Sequence, residues 1–397
     1  MADVIIHRGG HEIGGTAIEI RTKNARVLFD LGLPLDSNAI DEIDVTSMRK
    51  NGVLPKIQGL YNNDVPAFDA IVLSHAHIDH YGLISFAHSS IPVYLSCGSK
   101  VLMDISASFL GYKAPSNEQF TYTMYQPFYI ANIKIIPYLV DHSAFDAAAF
   151  EIIAGGQRIV YTGDFRWHGR KKGCFERFVR QVAPSPHILL CEGTTLGRNH
   201  ETAQTESELE KEIMQCLKST DGIALFQCAS QNIDRLVTFC RAAQSAGRIM
   251  VIDHYTAAIL TELNKLGNKL PTVGNHPNLS VFLPKDERKT LMLVRPSMLR
   301  KIAENDKIQN GVFIYSLWKG YRDETKQKDF ESFLIERGFT IKVAHTSGHA
   351  DVDTIRTLLS TLNPKQFIPI HTFSPERFTE FSDKVRIVRD GEVIKCQ

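Results

Sequence analysis

The sequence predicts an α/β fold in which a strand-rich core is interrupted by an inserted α/β domain. Up to about residue 200, short β-branched or aromatic runs such as VIIH, TAIEI, RVLFD and AIVLS alternate with glycine-rich or polar turns. The pattern then changes to amphipathic helices alternating with apolar strands, as in TESELEKEIMQCLK followed by GIALFQC, which is typical of parallel sheets. The earlier strand style returns near residue 343. We therefore expect a core formed by 1–198 and 343–397 and an inserted domain at 199–342.

Composition and charge indicate an ordinary globular chain. The 397 residues include 45 Lys+Arg and 44 Asp+Glu, a formal net charge of +1, so any binding to nucleic acid needs a local patch or a metal. Seven scattered cysteines without a CxxC pair argue against a disulfide framework and against cysteine-type zinc sites. Because the sequence has neither a long apolar run nor a signal peptide, we expect a cytoplasmic protein without a membrane segment.

The strongest chemical signal is SHAHIDHYG, which directly follows the apolar strand AIVLS. His75 and His77 are two residues apart at the end of an extended strand and therefore face the same side. Asp79 and His80 follow on the turn, where they can point at a second nearby position. Imidazole nitrogens with carboxylate oxygens are the ligand set of zinc, manganese or iron hydrolase sites. A single histidine is usually an ordinary core or surface residue, but this cluster favours a metal site.

Three more strand ends carry residues of the same chemical types. His142 follows IIPYLVD, Asp164 follows IVYTG and His371 follows FIPI. Taken alone, each is usually a turn residue. Since one zinc needs three or four protein ligands, the three residues together with the 75–80 segment complete a set for two metal ions.

These motifs resemble the metallo-β-lactamase superfamily, whose fold is an αβ/βα sandwich. The resemblance extends to Asp30 in VLFDLG, the superfamily's early acid, which orients the ligand cluster. It implies two ligand sets joined by one carboxylate. His75, His77 and His142 would hold one ion, Asp79, His80 and His371 would hold the other, and Asp164 would bridge both.

The distal half is similar to the β-CASP branch of nucleic-acid hydrolases, in which an α/β β-CASP domain is inserted into the sandwich. HILLCEGTTLGR resembles the acidic motif of that branch, in which Glu192 would be the motif's acidic residue. HTSGHA matches the HxSGHA segment of the same branch. SQNIDRLVTFCRAAQSAGRIMVIDHYTA resembles the inserted domain. The resemblance is to ribonuclease J without its C-terminal domain, and Thr372 and Phe373 depart from the glycine and acid of many relatives.

The same resemblance implies roles beyond metal binding. His349 is the expected proton donor to the leaving oxygen, and Glu192 and Asp79 complete the expected catalytic residues. The less favoured alternative for His349 is a capping residue of the next helix, whereas Glu192 on its own would equally fit an exposed acid at a strand end. A pocket for a terminal phosphate is expected from hydroxyl, amide and imidazole groups, namely those of Ser230, Gln231, His345 and Ser347.

Two segments carry a local excess of positive charge. Residues 164–200 contain seven Lys/Arg against three Asp/Glu, including Arg166 and Arg170, and residues 285–342 contain thirteen against nine. Such segments attract phosphates, but an ordinary solvated face is an equal alternative. Tyr315, Trp318 and Tyr321 offer rings for base stacking, but buried packing is the commoner role of such residues.

We therefore predict a dinuclear-metal phosphodiester hydrolase that acts on single-stranded RNA, as an exo- or endonuclease, through a metal-bridging hydroxide. Two Zn²⁺ ions are expected, with Mn²⁺ as the alternative. The competing enzyme class is a small-molecule ester or thioester hydrolase, and DNA is the alternative nucleic acid because only contacts with the 2′-hydroxyl separate the two. An inactive scaffold is disfavoured because every expected ligand is present. Homo-oligomerisation stays open.

Overall fold

Strands and helices alternate along most of the chain in the computed structural model, which describes residues 1–35, 45–111, 114–197 and 203–396. The strands within those ranges are β1 (Asp3–Arg8), β2 (Ala17–Arg21), β3 (Arg26–Phe29), β4 (Ala70–Val72), β5 (Val93–Ser96), β6 (Gln119–Tyr122), β7 (Phe128–Ile130), β8 (Ile133–Leu139), β9 (Ala148–Ala154), β10 (Gln157–Tyr161), β11 (Ile188–Glu192), β12 (Ala224–Gln227), β13 (Ile249–Val251), β14 (Leu279–Ser280), β15 (Thr290–Leu293), β16 (Val312–Tyr315), β17 (Thr340–Val343), β18 (Gln366–Ile370) and β19 (Val393–Lys395). The α-helices are α1 (Val45–Lys50), α2 (Ile78–Tyr81), α3 (Cys97–Leu110), α4 (Lys172–Gln181), α5 (Glu206–Lys218), α6 (Ile233–Ser245), α7 (His254–Lys265), α8 (Leu299–Ala303), α9 (Thr325–Glu336) and α10 (Val352–Leu362).

The chain divides into two structural units. The first comprises Met1–Trp167, Lys171–Thr202 and Gly348–Gln397, and the second comprises His168–Arg170 and Ala203–Ser347. The predicted boundary at 198–199 lies outside the described residues. The second unit ends at Ser347, so the HTSGHA segment begins in the second unit and ends in the first.

Two mixed sheets form the first unit. The seven-stranded sheet has the order β19-β1-β2-β3-β4-β5-β6 and is antiparallel from β19 to β3 and parallel from β3 to β6. The six-stranded sheet has the order β18-β11-β10-β9-β8-β7 and is parallel from β18 to β10 and antiparallel from β10 to β7.

Alternating side chains build the core between these sheets. Ile159 and Tyr161 of β10 lie in a cluster that contains residues from both sheets, whereas Val160 between them lies in a second cluster with residues of α4 and α10. Successive residues of a strand face opposite sides of the sheet. Both faces of β10 are therefore buried, which explains why its sequence is a continuous apolar run rather than an apolar–polar alternation.

The second unit contains one parallel sheet. Its order is β14-β13-β15-β12-β16-β17, and every pairing within it is parallel. The first long helix, α5, begins with a capping box in which Thr205 and Glu208 each accept from the other's backbone amide. The predicted alternation of helices with parallel strands is confirmed. None of the helices in the described part of the chain is both long enough and apolar enough to cross a membrane.

Strand ends bring polar residues to one edge of the first unit. β10, β11 and β18 run parallel, with Tyr161 opposite Leu190 and Glu192 opposite Ile370. The residues that follow these strands therefore emerge at the same edge. This register brings Asp164, Glu192 and His371 together although they are far apart in sequence.

Candidate metal centre

The seven side chains predicted as metal ligands meet within the first unit. They form overlapping groups in which one nitrogen or oxygen atom from each residue lies within 4.8 Å of the others. The groups are His75 with His77 and His142, Asp79 with His80 and His371, His75 with His80 and Asp164, and Asp164 with His371, Glu192 and His349. The first two groups coincide with the two ligand sets that the family resemblance implies.

Asp164 lies where a carboxylate shared by the two sets would have to lie. Its Oδ2 is 3.1 Å from Nε2 of His80 and 3.8 Å from Nε2 of His75. These two histidines belong to different sets, so one carboxylate oxygen reaches both.

The segment from 75 to 80 is held by a close backbone approach. The amide of Leu31 donates to the carbonyl of His80 at 2.8 Å, and the amide of Thr16 donates to the carbonyl of Asp79 at 3.2 Å. A β-carbon on Gly32 would lie only 1.6 Å from the Asp79 carbonyl oxygen. Only glycine permits this approach, which fixes the backbone of two predicted ligands.

Asp30 orients the 74–80 segment through hydrogen bonds to its carboxylate. Its carboxylate accepts hydrogen bonds from the amide of Ser74 (2.7 Å), the hydroxyl of Ser74 (2.7 Å), Nδ1 of His80 (2.9 Å) and the hydroxyl of Tyr161 (2.5 Å). Because an ionised carboxylate only accepts, Nδ1 of His80 carries a proton, and Nε2 of the same ring lies 3.1 Å from Oδ2 of Asp164. Sequence analysis identified Asp30 but not Ser74 or Tyr161, although Ser74 directly precedes His75 at a strand end.

A second histidine predicted as a metal ligand is oriented by a backbone carbonyl. Nδ1 of His142 donates to the carbonyl oxygen of Gly348 at 2.5 Å, which leaves Nε2 of His142 as an acceptor 3.2 Å from Nδ1 of His77. No side-chain pattern could have indicated a carbonyl partner.

These side chains fit a pair of divalent cations. Nε2 of His75 is buried and has no hydrogen-bond partner among the described residues, and Nε2 of His80 faces a carboxylate oxygen of Asp164 at 3.1 Å. Acceptors that face each other in a buried site repel one another unless a proton or a cation lies between them. Imidazole nitrogens with carboxylate oxygens are a ligand set that suits Zn²⁺.

Electrostatics favour the ligand-competent protonation states at five of the seven predicted ligands. At His80 burial acts to lower the pKa, but Asp164 and Asp79 raise it well above its usual value. Burial lowers the pKa of His75 and His142 well below the usual value and lowers the pKa of His77 to about 4, so these rings are neutral near pH 7. Burial acts to raise the pKa of Asp79 and Asp164, but the neighbouring histidines lower both overall, so both carboxylates are ionised. Neutral imidazoles and ionised carboxylates are the forms that bind metals.

Glu192 connects the predicted ligands to His349. The Glu192 side chain is fully buried, and its Oε2 lies 3.0 Å from Nδ1 of His349, while its Oε1 accepts from the amide of Phe165 at 2.9 Å. Burial acts to lower the pKa of His349, but Glu192 and Asp164 raise it overall. The side chain of His349 is 21% exposed, so one edge of its ring is accessible from outside the cluster.

Thr194 is a contact residue that sequence analysis did not identify. Its hydroxyl lies between Glu192 and His371, two residues that the sequence did single out. Its position two residues after a strand-end acid is the only signal that could have drawn attention to it.

The four residues predicted for a phosphate pocket lie in the second unit. Ser230 Oγ is 2.7 Å from Thr256 Oγ1, and the amide nitrogen of Gln231 is 3.3 Å from the hydroxyl of Tyr255. Nδ1 of His345 lies 3.3 Å from a guanidinium nitrogen of Arg235. The carbonyl of Ser347 accepts from Nε2 of His168 at 2.8 Å. Their role in phosphate binding stays a prediction.

Two of the predicted phosphate-attracting arginines are instead committed to ion pairs. Arg166 is fully buried and pairs with Asp141 at 3.1 Å. Arg170 pairs with Glu210 and donates to the hydroxyl of Thr238. The prediction of a basic phosphate-binding surface is therefore wrong for Arg166, which is buried together with Asp141. For Arg170 it stays a prediction, since this side chain and its partner Glu210 are only partly buried.

The three aromatic residues proposed for stacking divide between the two alternatives. Tyr315 is fully buried, which supports packing in the core. Trp318 and Tyr321 are each 43% exposed, and their rings meet edge to face at 5.4 Å.

Comparison with protein families gives two matches along the chain. Residues 42–215 match the family described as a beta-lactamase superfamily domain. Residues 338–394 match the family described as a Zn-dependent metallo-hydrolase RNA specificity domain. The second match contains the HTSGHA segment and His371.

Individual relatives are distant in sequence. Ribonuclease J of Sinorhizobium meliloti is 22% identical over 336 residues, which cover 76% of this chain and 57% of the relative. Ribonuclease J of Pyrococcus abyssi is 23% identical over 406 residues, which cover 91% of this chain and 88% of the relative. A crystal structure of a protein of unknown function from Enterococcus faecalis V583 superposes with a TM-score of 0.83 at 23% identity and covers 99% of both chains. This chain thus spans little more than half of the Sinorhizobium protein but nearly all of the Enterococcus fold.

Proposed function

Because this chain is a metallo-β-lactamase superfamily protein that carries an RNA specificity segment, we propose that it is a metal-dependent ribonuclease acting on single-stranded RNA. The observation that carries the proposal is the contact of Nδ1 of His349 with Glu192 and, at 3.5 Å, with Asp164. A titratable ring that is partly exposed therefore lies directly beside the clustered metal-ligand side chains.

The proposed ligand assignment follows the two groups. His75, His77 and His142 hold one ion, Asp79, His80 and His371 hold the other, and Asp164 contributes to both. The assignment is supported by the 3.1 and 3.8 Å distances from one Asp164 oxygen to His80 and His75. Divalent ions bound there supply positive charge that stabilises a phosphodiester and acidifies water. We propose Zn²⁺ for both positions, with Mn²⁺ to be tested by loading.

The chain's own residues would then handle orientation and protons. Glu192 accepts from Nδ1 of His349 and holds the ring in place, so the other ring nitrogen is the one that can donate to the leaving oxygen. Asp79 is ionised and 14% exposed, so its carboxylate can accept a hydrogen bond from water and orient it. Asp30 and Gly348 fix the rings of His80 and His142, which keeps the site in place while substrate binds.

The test is cleavage of end-labelled single-stranded RNA by protein loaded with Zn²⁺ or Mn²⁺. A ladder of products indicates an endonuclease, and mononucleotides released from one end indicate an exonuclease. We expect Asp164→Asn to abolish cleavage, because it removes the carboxylate shared by both ligand groups. Asp104→Asn, which changes an exposed carboxylate on α3, is the matched control and should cleave at the wild-type rate.

Two further substrates distinguish the alternatives. DNA of the same sequence tests whether the 2′-hydroxyl is required. A thioester tests the small-molecule hydrolase that the same metal cluster would support. Intact RNA beside a cleaved thioester would overturn the ribonuclease proposal.

A further inference from the structure

The hydroxyl of Thr194 makes two contacts inside the candidate metal centre. Thr194 follows β11 and is 3% exposed. Its Oγ1 lies 2.6 Å from Oε2 of Glu192 and 2.8 Å from Nδ1 of His371. The hydroxyl therefore connects the buried carboxylate of Glu192 to the imidazole of His371, a predicted metal ligand.

The chemistry of the three groups fixes the direction of both bonds. A carboxylate only accepts, so the single proton of the Thr194 hydroxyl is donated to Glu192. The hydroxyl oxygen must then accept from His371, which places the ring proton on Nδ1. In the neutral ring, which is the form that binds a metal ion, Nε2 of His371 then carries the lone pair, and it lies 3.3 Å from Oδ2 of Asp79. His371 would use this lone pair as its ligand in the group formed by Asp79, His80 and His371.

The same arrangement occurs a second time in the centre. The hydroxyl of Ser74 donates to Asp30 at 2.7 Å and lies 3.0 Å from Nδ1 of His75. It therefore accepts from His75 and leaves Nε2 of that ring as a buried acceptor that has no hydrogen-bond partner in the described part of the chain. In each case a carboxylate accepts from a hydroxyl, which in turn accepts from Nδ1 of an imidazole. One such set of hydrogen bonds orients His75 in the first predicted ligand group, and the other orients His371 in the second.

We propose that Thr194 is a positioning residue that transmits the orientation and proton order set by Glu192 to His371, and thereby sets the affinity of the second metal position. The inference rests on the proposed role of His371 as a metal ligand. Partners that orient a ligand histidine typically contribute about 10–100-fold to metal affinity. One Glu192 oxygen then serves two functions, because Oε2 holds His349 directly and His371 through Thr194.

The test compares three variants of the full chain by metal binding rather than by activity. Thr194→Val keeps the shape of the side chain and removes the hydroxyl, and Thr194→Ser restores the hydroxyl. Thr195→Val is the matched control, since the neighbouring Thr195 hydroxyl donates to the carbonyl of Ala350 at 2.5 Å and not to His371. The affinity for Zn²⁺ is measured by competition with a chromophoric chelator, and the Co²⁺-loaded protein gives an absorption spectrum that reports ligand geometry.

We expect Thr194→Val to bind one of two ions about 10–100-fold more weakly and to change the Co²⁺ spectrum, while Thr194→Ser and Thr195→Val resemble wild type. If Thr194→Val does not fold, Thr194→Ala is measured in its place. Wild-type affinity for both ions in the variant without the hydroxyl would overturn the inference. A wild-type chain that binds no divalent ion overturns the inference and the proposed function together, whereas a two-metal chain that leaves RNA intact overturns only the function.

Discussion

Replacing His349 by alanine should slow cleavage of RNA far more than cleavage of an activated phosphodiester. His349 donates from Nδ1 to Glu192 at 3.0 Å, so its second ring nitrogen is the one that can serve a substrate. The leaving oxygen of RNA is strongly basic and needs a proton as it departs. Bis(p-nitrophenyl) phosphate releases a weakly basic phenolate, which departs without one, so the missing imidazole matters little there.

The size of the effect follows from the contacts of His349. A positioned proton donor contributes about 10²–10⁴-fold to rate, or about 3–5 kcal/mol of the barrier. The bond to Glu192 involves an ionised acceptor, and such bonds are worth about 1.5–3 kcal/mol. Glu192→Gln should therefore lose about 10–100-fold of the same rate, measured with both metal positions saturated.

The assay measures kcat on both substrates for the wild type, His349→Ala, Glu192→Gln and the double variant. We expect the double variant to be no slower on RNA than His349→Ala, because the carboxylate acts on the leaving group through the imidazole. The metal content of each protein is measured by elemental analysis, and we expect two ions per chain in His349→Ala.

Three outcomes would contradict this reasoning. Equal losses on the two phosphodiesters would show that His349 does not protonate the leaving group. Loss of an ion from His349→Ala would make the residue a metal ligand. Multiplied losses in the double variant would show that Glu192 acts on catalysis independently of His349.

Three further predictions concern the scaffold that holds the site. Burial acts to raise the pKa of Glu19, but hydrogen bonds from a histidine and an arginine lower it to about 2. This shift contributes about 3 kcal/mol to the stability of the folded protein. The contribution is complete above pH 4.5 and is lost as the pH falls toward 2. Glu19→Gln should remove that contribution at pH 7 and match wild type near pH 2 in urea unfolding. Arg166→Met should cost about 3–5 kcal/mol in the same assay, because it leaves the Asp141 carboxylate buried without its arginine. Gly32→Ala should displace the Asp79 backbone and lower the metal content of the purified protein.

Matched controls use exposed positions. Glu118→Gln and Lys172→Met change charges at the surface and should alter stability by no more than about 0.5 kcal/mol. Gly173→Ala adds a β-carbon that meets no atom within 4 Å, and it should be neutral or stabilising by up to about 1 kcal/mol within α4. The Glu19 argument would be contradicted if the difference in unfolding free energy between wild type and Glu19→Gln did not change from pH 7 to pH 2. The Arg166 argument would be contradicted by a loss of less than about 1 kcal/mol in Arg166→Met. The Gly32 argument would be contradicted by full metal content in Gly32→Ala.

Much of the fold and of the ligand cluster was predictable because the relevant signals are local. The predicted sandwich with an inserted parallel-sheet domain is confirmed. His75, His77 and His80 stand in one short motif after an apolar strand, and that strand context also marks Asp164 and His371. Parallel strands end at one edge of a sheet, so residue type and strand position together indicated which side chains would lie close to one another.

Partners of those residues were not predictable, since they are set by three-dimensional packing. The charge of Arg166 suggested a phosphate-binding surface, but Asp141, which lies 25 residues earlier in the chain, neutralises it in the core. Thr194 and Ser74 are unremarkable in sequence and acquire their roles only from the two groups that each hydroxyl contacts.

Two backbone conformations explain how these contacts are held in place. Asp30 and His371 adopt left-handed φ values of 59° and 51°, which cost about 1–2 kcal/mol each for residues other than glycine. Each immediately follows a strand of a different sheet, and each is anchored by its amide, which donates to Val72 O at 3.0 Å for Asp30 and to Gly9 O at 2.6 Å for His371. Glycine would remove the strain, but it would also remove the carboxylate that orients His80 or the imidazole that faces Asp79. The flanking strands therefore hold Asp30 and His371 in strained backbone conformations that keep their side chains in the site. Backbone strain of this kind is expected where two sheets together hold a reactive centre.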